Sequence, residues 1–250
     1  MPHMASSFTA PGSGVRPNRT NGPFRFLLKI NLLSGGVSPL SRHAIEKSTS
    51  AQGANAAPSG EEMDSKANNY HLIIAELEAG LKFICQSPQD NGVLKFMICR
   101  PLEGEREVLT EAQLHLVQGL VGDNWKIRGS TKTSDGSAHP DKQLNIMNFR
   151  VMALLARTKE RWPLAGDQLY LDLDLSGENL PPGTRLSLGS AIIEVTAEPH
   201  NGCEKFMGRF GRAAVKFVNS PLGRQLHLRG INAKVIEPGV IRIGDPVKKA

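Results

Sequence analysis

From residue 70 onward, apolar positions come in short runs broken by Gly and Pro, and most of them alternate. QLYLDLDL (168–175) alternates strictly: Leu169, Leu171, Leu173 and Leu175 share one face, with Gln168, Tyr170, Asp172 and Asp174 on the other. That is the period of a strand with one face in a core, and it leaves Asp172 and Asp174 on a wet face. RLSLGSAIIEVT (185–196) reads as two short strands around Gly189. GVLKFMICRPLEGEREVL (92–109) reads as a strand, a turn at Pro101–Gly104 and a second short strand, and INAKVIEPGVIRIGDPV (231–247) as three strands around two turns. Helical signals are fewer. Asn148 is placed to cap FRVMALLARTKER, RAAVKFVNS (212–220) is a second candidate, and NYHLIIAELEAGLKFICQ is partly helical in period without a clear register. Many short strands with few helices predict a mainly β chain, a closed β-barrel-like domain with a few short helices.

Residues 1–68 have a different texture, rich in Ser, Gly, Asn, Pro and Ala, as in STSAQGANAAPSG. Such a composition buries too little apolar surface to offset its ordering entropy. The expected organisation is therefore a flexible or disordered extension over 1–68 and a barrel domain over 69–250. FRFLLKINLLS (24–34) is an amphipathic island in the extension, and the basic, acid-poor composition resembles an organelle transit peptide. A dispensable tail, or translation starting at Met63, is the simpler reading, and it makes a cytoplasmic location the expectation.

The net charge of +6 changes the picture less than it promises. Residues 1–60 hold six basic residues and one acid, so the rest of the chain carries only +1. A nearly neutral body does not point to nucleic acid, and Phe206 and Phe210 are spaced like core anchors rather than a stacking platform. No apolar run reaches the roughly 20 residues of a membrane helix, so no membrane partner is expected. Three cysteines without a CxxC indicate a reducing compartment rather than a disulfide framework.

Candidate chemistry converges on EPHNGCEKFMGRFG (198–211). Cys85 and Cys99 have apolar neighbours, as small buried residues do. Cys203 instead follows His200, Asn201 and Gly202, and Lys205, Arg209 and Arg212 come within nine residues. Nearby positive charge favours the thiolate, which is both nucleophile and soft metal ligand. His200 and Cys203 alone do not make a closed zinc site, which needs four ligands. GxxxxGK[ST], GxSxG and HExxH are all missing.

With these residues in view, the chain resembles the MOSC domain family, named from the C-terminal domain of molybdenum cofactor sulfurase. The likeness runs over about 93–248 and rests on four ordered elements: GLVGDNW (119–125), GENLPPGTRLSLGSAIIEVT (177–196), EPHNGC (198–203) and RGINAKVIEPGVIRIGDPV (229–247). It implies a strand-rich barrel and a molybdenum-cofactor-related thiol protein that binds molybdenum or molybdopterin through Cys203. On this resemblance Cys203 is the catalytic thiol or metal ligand, and Asp123, Lys205 and Arg209 are cofactor-binding candidates. The implied activity is that of a sulfur carrier or sulfurtransferase, or of a small molybdenum-dependent oxidoreductase of N-hydroxylated compounds. The implied partners are a small-molecule cofactor or substrate and a sulfur- or electron-donor protein. Pyridoxal phosphate belongs to the sulfurase's separate desulfurase domain, and no residues here support it. A non-catalytic binding or scaffold module with the same fold is the alternative.

Overall fold

In the computed structural model, which describes residues 71–250, the alternating leucines become the inward-facing side of a closed barrel. The expected extension, 1–68, lies outside the described residues. The strands are β1 (Gly92–Cys99), β2 (Glu107–Leu109), β3 (Glu111–His115), β4 (Gly119–Leu120), β5 (Leu144–Asn148) and β6 (Leu169–Asp172). They continue with β7 (Arg185–Leu188), β8 (Ala191–Val195), β9 (Ile231–Glu237), β10 (Gly239–Arg242) and β11 (Pro246–Lys249). Seven of them form a ring in the order β1-β6-β5-β9-β8-β7-β11, which closes where β11 pairs with β1 at Gly92–Val247 and Val93–Pro246. β2 hangs on the side of β1, and β10, β3 and β4 make a separate small sheet.

Every neighbouring pair in the ring is antiparallel except β5–β6, which is parallel. A parallel pair cannot be joined by a hairpin and needs a crossover. The crossover here is helix α4 (Phe149–Ala156) followed by a 3-10 stretch, Lys159–Ala165. Asn148 caps α4 as expected, its Oδ1 accepting from the N–H groups of Arg150 (2.8 Å) and Val151 (3.3 Å). The helix stops at Ala156, shorter than its sequence pattern, because Arg157 turns to φ +62.

The barrel is filled by Leu94, Met97, Leu144, Ile146, Leu169, Leu171, Leu186, Ile193, Ala233, Val235 and Val247, together with Leu173 and Leu175 beyond β6. A second core lies outside the ring, where Ile98, Met147 and Tyr170 meet α4, α5 (Glu204–Asn219) and the short α1 (Ile74–Ala79) and α2 (Leu81–Ile84). This second core corrects the wet-face reading of QLYLDLDL. Gln168 and Tyr170 are fully buried, because helices cover the outer side of β6. Asp172 is held by Arg150 at 2.8 Å, and Asp174 accepts from the backbone of Ser176 at 2.9 Å.

The three strands expected over 231–247 are present, but β9 and β10 do not pair across the turn after Glu237. β9 stays in the barrel while β10 leaves for the small sheet, where it pairs with β3. Helix α5 starts well before the predicted 212, directly after Cys203, and bends at Gly211 (φ +86). A side chain at Gly211 would be strained and would lie 3.0 Å from the ring of His71. Among the described residues no helix is long and apolar enough to cross a membrane.

Candidate functional site

Cys203 sits at the end of the loop that runs from β8 to α5 and is exposed. Its carbonyl accepts from the N–H of Met207 at 2.9 Å, but its side chain makes no cap bond, so the thiol is not consumed by the helix. Gly202 fits against the far end of the same helix: a Cβ there would come within 3.0 Å of Val218 and 3.3 Å of Asn219. The close approach that needs a glycine is therefore to the protein itself.

The thiol opens on a cavity of about 300 Å³ whose wall comes from six separated parts of the chain. The turn between β1 and β2 brings Arg100, Glu103 and Arg106, the segment entering helix α3 (Trp125–Arg128) brings Asn124 and Arg128, and β5 brings Asn145. Gly166 ends the crossover, α5 contributes Lys205, Phe206 and Arg209, and Arg229 precedes β9.

The cations of this wall fall into two classes. Arg100 is fully engaged: Nε and Nη2 each donate to Asp123 at 2.8 Å, and Nη1 donates to Asn145 (3.0 Å) and to the carbonyl of Gly166 (3.1 Å). Arg229 donates from Nη1 to both oxygens of Asp167, at 2.9 and 2.8 Å, and its guanidinium lies 4.8 Å above the Phe206 ring. Lys205 pairs with Glu103 at 2.8 Å, but both are exposed, and such a pair is worth little. Among the described residues, no carboxylate forms an ion pair with Arg106, Arg128 or Arg209. Arg106 and Arg209 converge over Gly166, within 3.2–3.3 Å of where its Cβ would be. Burial first, and then the like charges of Arg209 and Arg100, push the Arg106 guanidinium below its ordinary range. A cavity that crowds unpaired guanidiniums favours an incoming anion.

Of the residues singled out in the sequence, Cys203, Lys205 and Arg209 are brought together on this wall. Asp123 is not on it. Its buried carboxylate accepts from Arg100 Nε, Nη2 and backbone N–H, from the Trp125 N–H (2.9 Å) and from Gln168 (3.3 Å), so it orients Arg100 from behind. His200 is not on the wall of the thiol's cavity, and its Nε2 lies 3.4 Å from Asp167; burial and Arg229 hold the imidazole well below its usual pKa, hence neutral. Among the described residues no three His, Cys, Asp or Glu side chains gather as a metal site. Cys99 is buried as expected, but Cys85 is exposed, because its apolar neighbours Ile84 and Leu81 turn inward from a short helix and leave it at the surface.

The sequence reading missed Arg100, Arg106, Arg128 and Arg229. Arg229 opens one of the quoted elements (RGINAKV) and Arg100 follows a strand, but only the closed ring reveals that the four meet.

A family model described as the MOSC domain matches residues 133–248. A search of the curated proteins gave no match. Among solved structures, the chain is similar to the YuaD protein from Bacillus subtilis, at 15% identity over 64% of this chain and 95% of that one, with a TM-score of 0.48. It is also similar to YiiM from Escherichia coli, at 20% identity over 63% of this chain and 69% of that one, with a TM-score of 0.42. The matched segment contains Cys203, Lys205, Arg209 and Arg229, whereas Arg100, Arg106 and Arg128 reach the cavity from outside it. The segment 133–248, with its thiol at the head of α5 and its closing strands at β9–β11, is thus the part of the chain that is similar to the MOSC domain.

Proposed function

We propose that this chain is a molybdenum-cofactor-related thiol protein in which Cys203 carries sulfur, or ligates molybdenum, within an anion-binding cavity. The observation that carries the reading is the placement of Cys203 on one wall with Arg106, Arg128 and Arg209, guanidiniums that have no carboxylate partner. Molybdopterin bears a phosphate and a dithiolene, and the residues present fit it. The unpaired arginines suit the phosphate, and Arg229, more than nine-tenths buried, keeps Nε without a partner. Among the described residues, Cys203 is the one soft donor on the wall. When bound, the cofactor would supply a redox-active metal on a sulfur chelate. The chain itself supplies one thiol, a cationic cradle of Arg106, Arg128 and Arg209, and Lys205 at the rim.

Exposure of Cys203 favours sulfur carriage over a purely structural ligand role, since a carrier thiol has to be reached by a donor protein. Reduction of N-hydroxylated compounds rests on the family likeness alone. The test is to purify the chain gently from a host that makes the cofactor and to measure molybdenum and pterin per protein. Wild type should retain both and Cys203→Ser should lose molybdenum. A wild-type protein free of both, with Cys203 also refusing persulfide, would leave the scaffold reading.

A further inference from the structure

We propose that the sulfur donor read directly by this site is a small sulfane-sulfur oxyanion of the thiosulfate class, which Cys203 attacks inside the arginine cavity. The inference rests on the sulfur-carrier reading above and deepens it by naming the donor. Among the described residues, Arg106, Arg128 and Arg209 have no carboxylate within ion-pair distance, and Arg229 adds a buried Nε without a partner. Among the described residues, Glu103 is the only carboxylate on the wall, at the exposed rim and held by Lys205. A neutral donor would leave these guanidiniums unmatched, whereas a dianion matches them.

The presence of a thiol on the same wall narrows the anion further. Phosphate and sulfate offer a thiolate no displaceable sulfur. Thiosulfate does, and the exchange is a substitution that needs neither oxidant nor reductant. Cys203 Sγ⁻ forms a bond to the outer, sulfane sulfur, and the bond between that sulfur and the sulfonate sulfur breaks. The electron pair of the broken bond leaves with sulfite. A thiolate and a dianion become a persulfide anion and a dianion, so charge is conserved and no proton moves. The leaving group is itself anionic, and the guanidiniums of Arg106 and Arg209, side by side over Gly166, are placed to hold it. They also offset the repulsion between an anionic nucleophile and an anionic donor, which in water makes this attack slow.

The experiment uses the full chain without reductant, with thiosulfate as the probe. One sulfite per protein should be released, and the peptide carrying Cys203 should gain the mass of one sulfur, removable by cyanide. Cys203→Ser should release none. Arg106→Gln with Arg209→Gln should slow release at least tenfold, while Lys126→Gln, outside the cavity, should leave it unchanged. In a second readout that needs no variant, sulfate should slow alkylation of Cys203 by neutral iodoacetamide without slowing that of Cys85. A parallel arm offers inorganic polysulfide. If polysulfide loads Cys203 and thiosulfate does not, the donor class proposed here is wrong and the carrier reading stands. If neither loads it, both fall.

Discussion

Asn219 holds Gly202 by two reciprocal hydrogen bonds, its Oδ1 accepting from the glycine N–H at 2.9 Å and its Nδ2 donating to the glycine carbonyl at 3.0 Å. The last residue of α5 thereby ties down the loop that delivers the thiol to the first turn of the same helix. Asn219→Ala removes both bonds and should cost about 1–2 kcal/mol in urea unfolding. It should also raise the alkylation rate of Cys203 without changing that of Cys85, because only the Cys203 loop is released.

Asp123 and Arg100 form a pair with both side chains almost wholly buried. Asp123→Asn leaves the guanidinium charged and underpaired in the interior, which should destabilise the fold by about 3 kcal/mol. Leu120→Ala, a cut into the barrel core of comparable cost, is the control: both should lower the unfolding midpoint, but only Asp123→Asn should weaken sulfate protection of Cys203, by letting Arg100 drift from the wall.

Mild alkylation of the native protein should modify two thiols, Cys85 and Cys203, and spare Cys99 until the protein unfolds. Mass spectrometry of digests taken before and after denaturant counts them directly. A third thiol labelled at the native rate would contradict the burial of Cys99 beside β2.

Burial, reinforced by the charges of Asp123 and Glu107, pushes the Cys99 thiol from its ordinary value of 9.0 up to about 11. The unfolded chain then gives up this proton at a lower pH than the folded one. The contribution is intact below pH 9.0 and is lost as pH rises towards about 11, by roughly 2–3 kcal/mol. Lysines and tyrosines titrate there too, so the measurement is the difference between wild type and Cys99→Ala. The wild type should lose stability more steeply across that window, and equal slopes would refute the shift.

The barrel was legible because strand alternation is a local signal: Leu169 and Leu171 face inward as their spacing requires. The burial of Gln168 and Tyr170 was not, because it depends on helices packed from elsewhere in the chain. Cys203 stood out through its own polar neighbours, and Lys205 and Arg209 came with it on the same helix. The other half of the cavity is carried by side chains that the β1–β2 turn and the α3 segment bring across the ring, a proximity no short window contains. Asp123 sat in a recognisable Gly-Asp element, but its partner Arg100 is 23 residues earlier, which is why a supporting carboxylate looked like a ligand-facing one.

The seam between β1 and β11 has a consequence for how the protein is made. The ring is completed only by Gly92–Val247 and Val93–Pro246, with the Leu94 N–H donating to the Asp245 carbonyl beside them. A chain leaving the ribosome cannot form that seam until residues 246–249 have emerged, long after β1 has, and pairings between such distant segments are slow to find. β1 also pairs with β6, from Val93–Asp172 to Met97–Leu169, and Arg100 bonds Asn145 and Gly166, so the turn that carries Arg100 and Arg106 is held without the seam. Ring closure therefore waits on β11, whereas the β1–β6 pairing that positions the turn needs only residues up to 172.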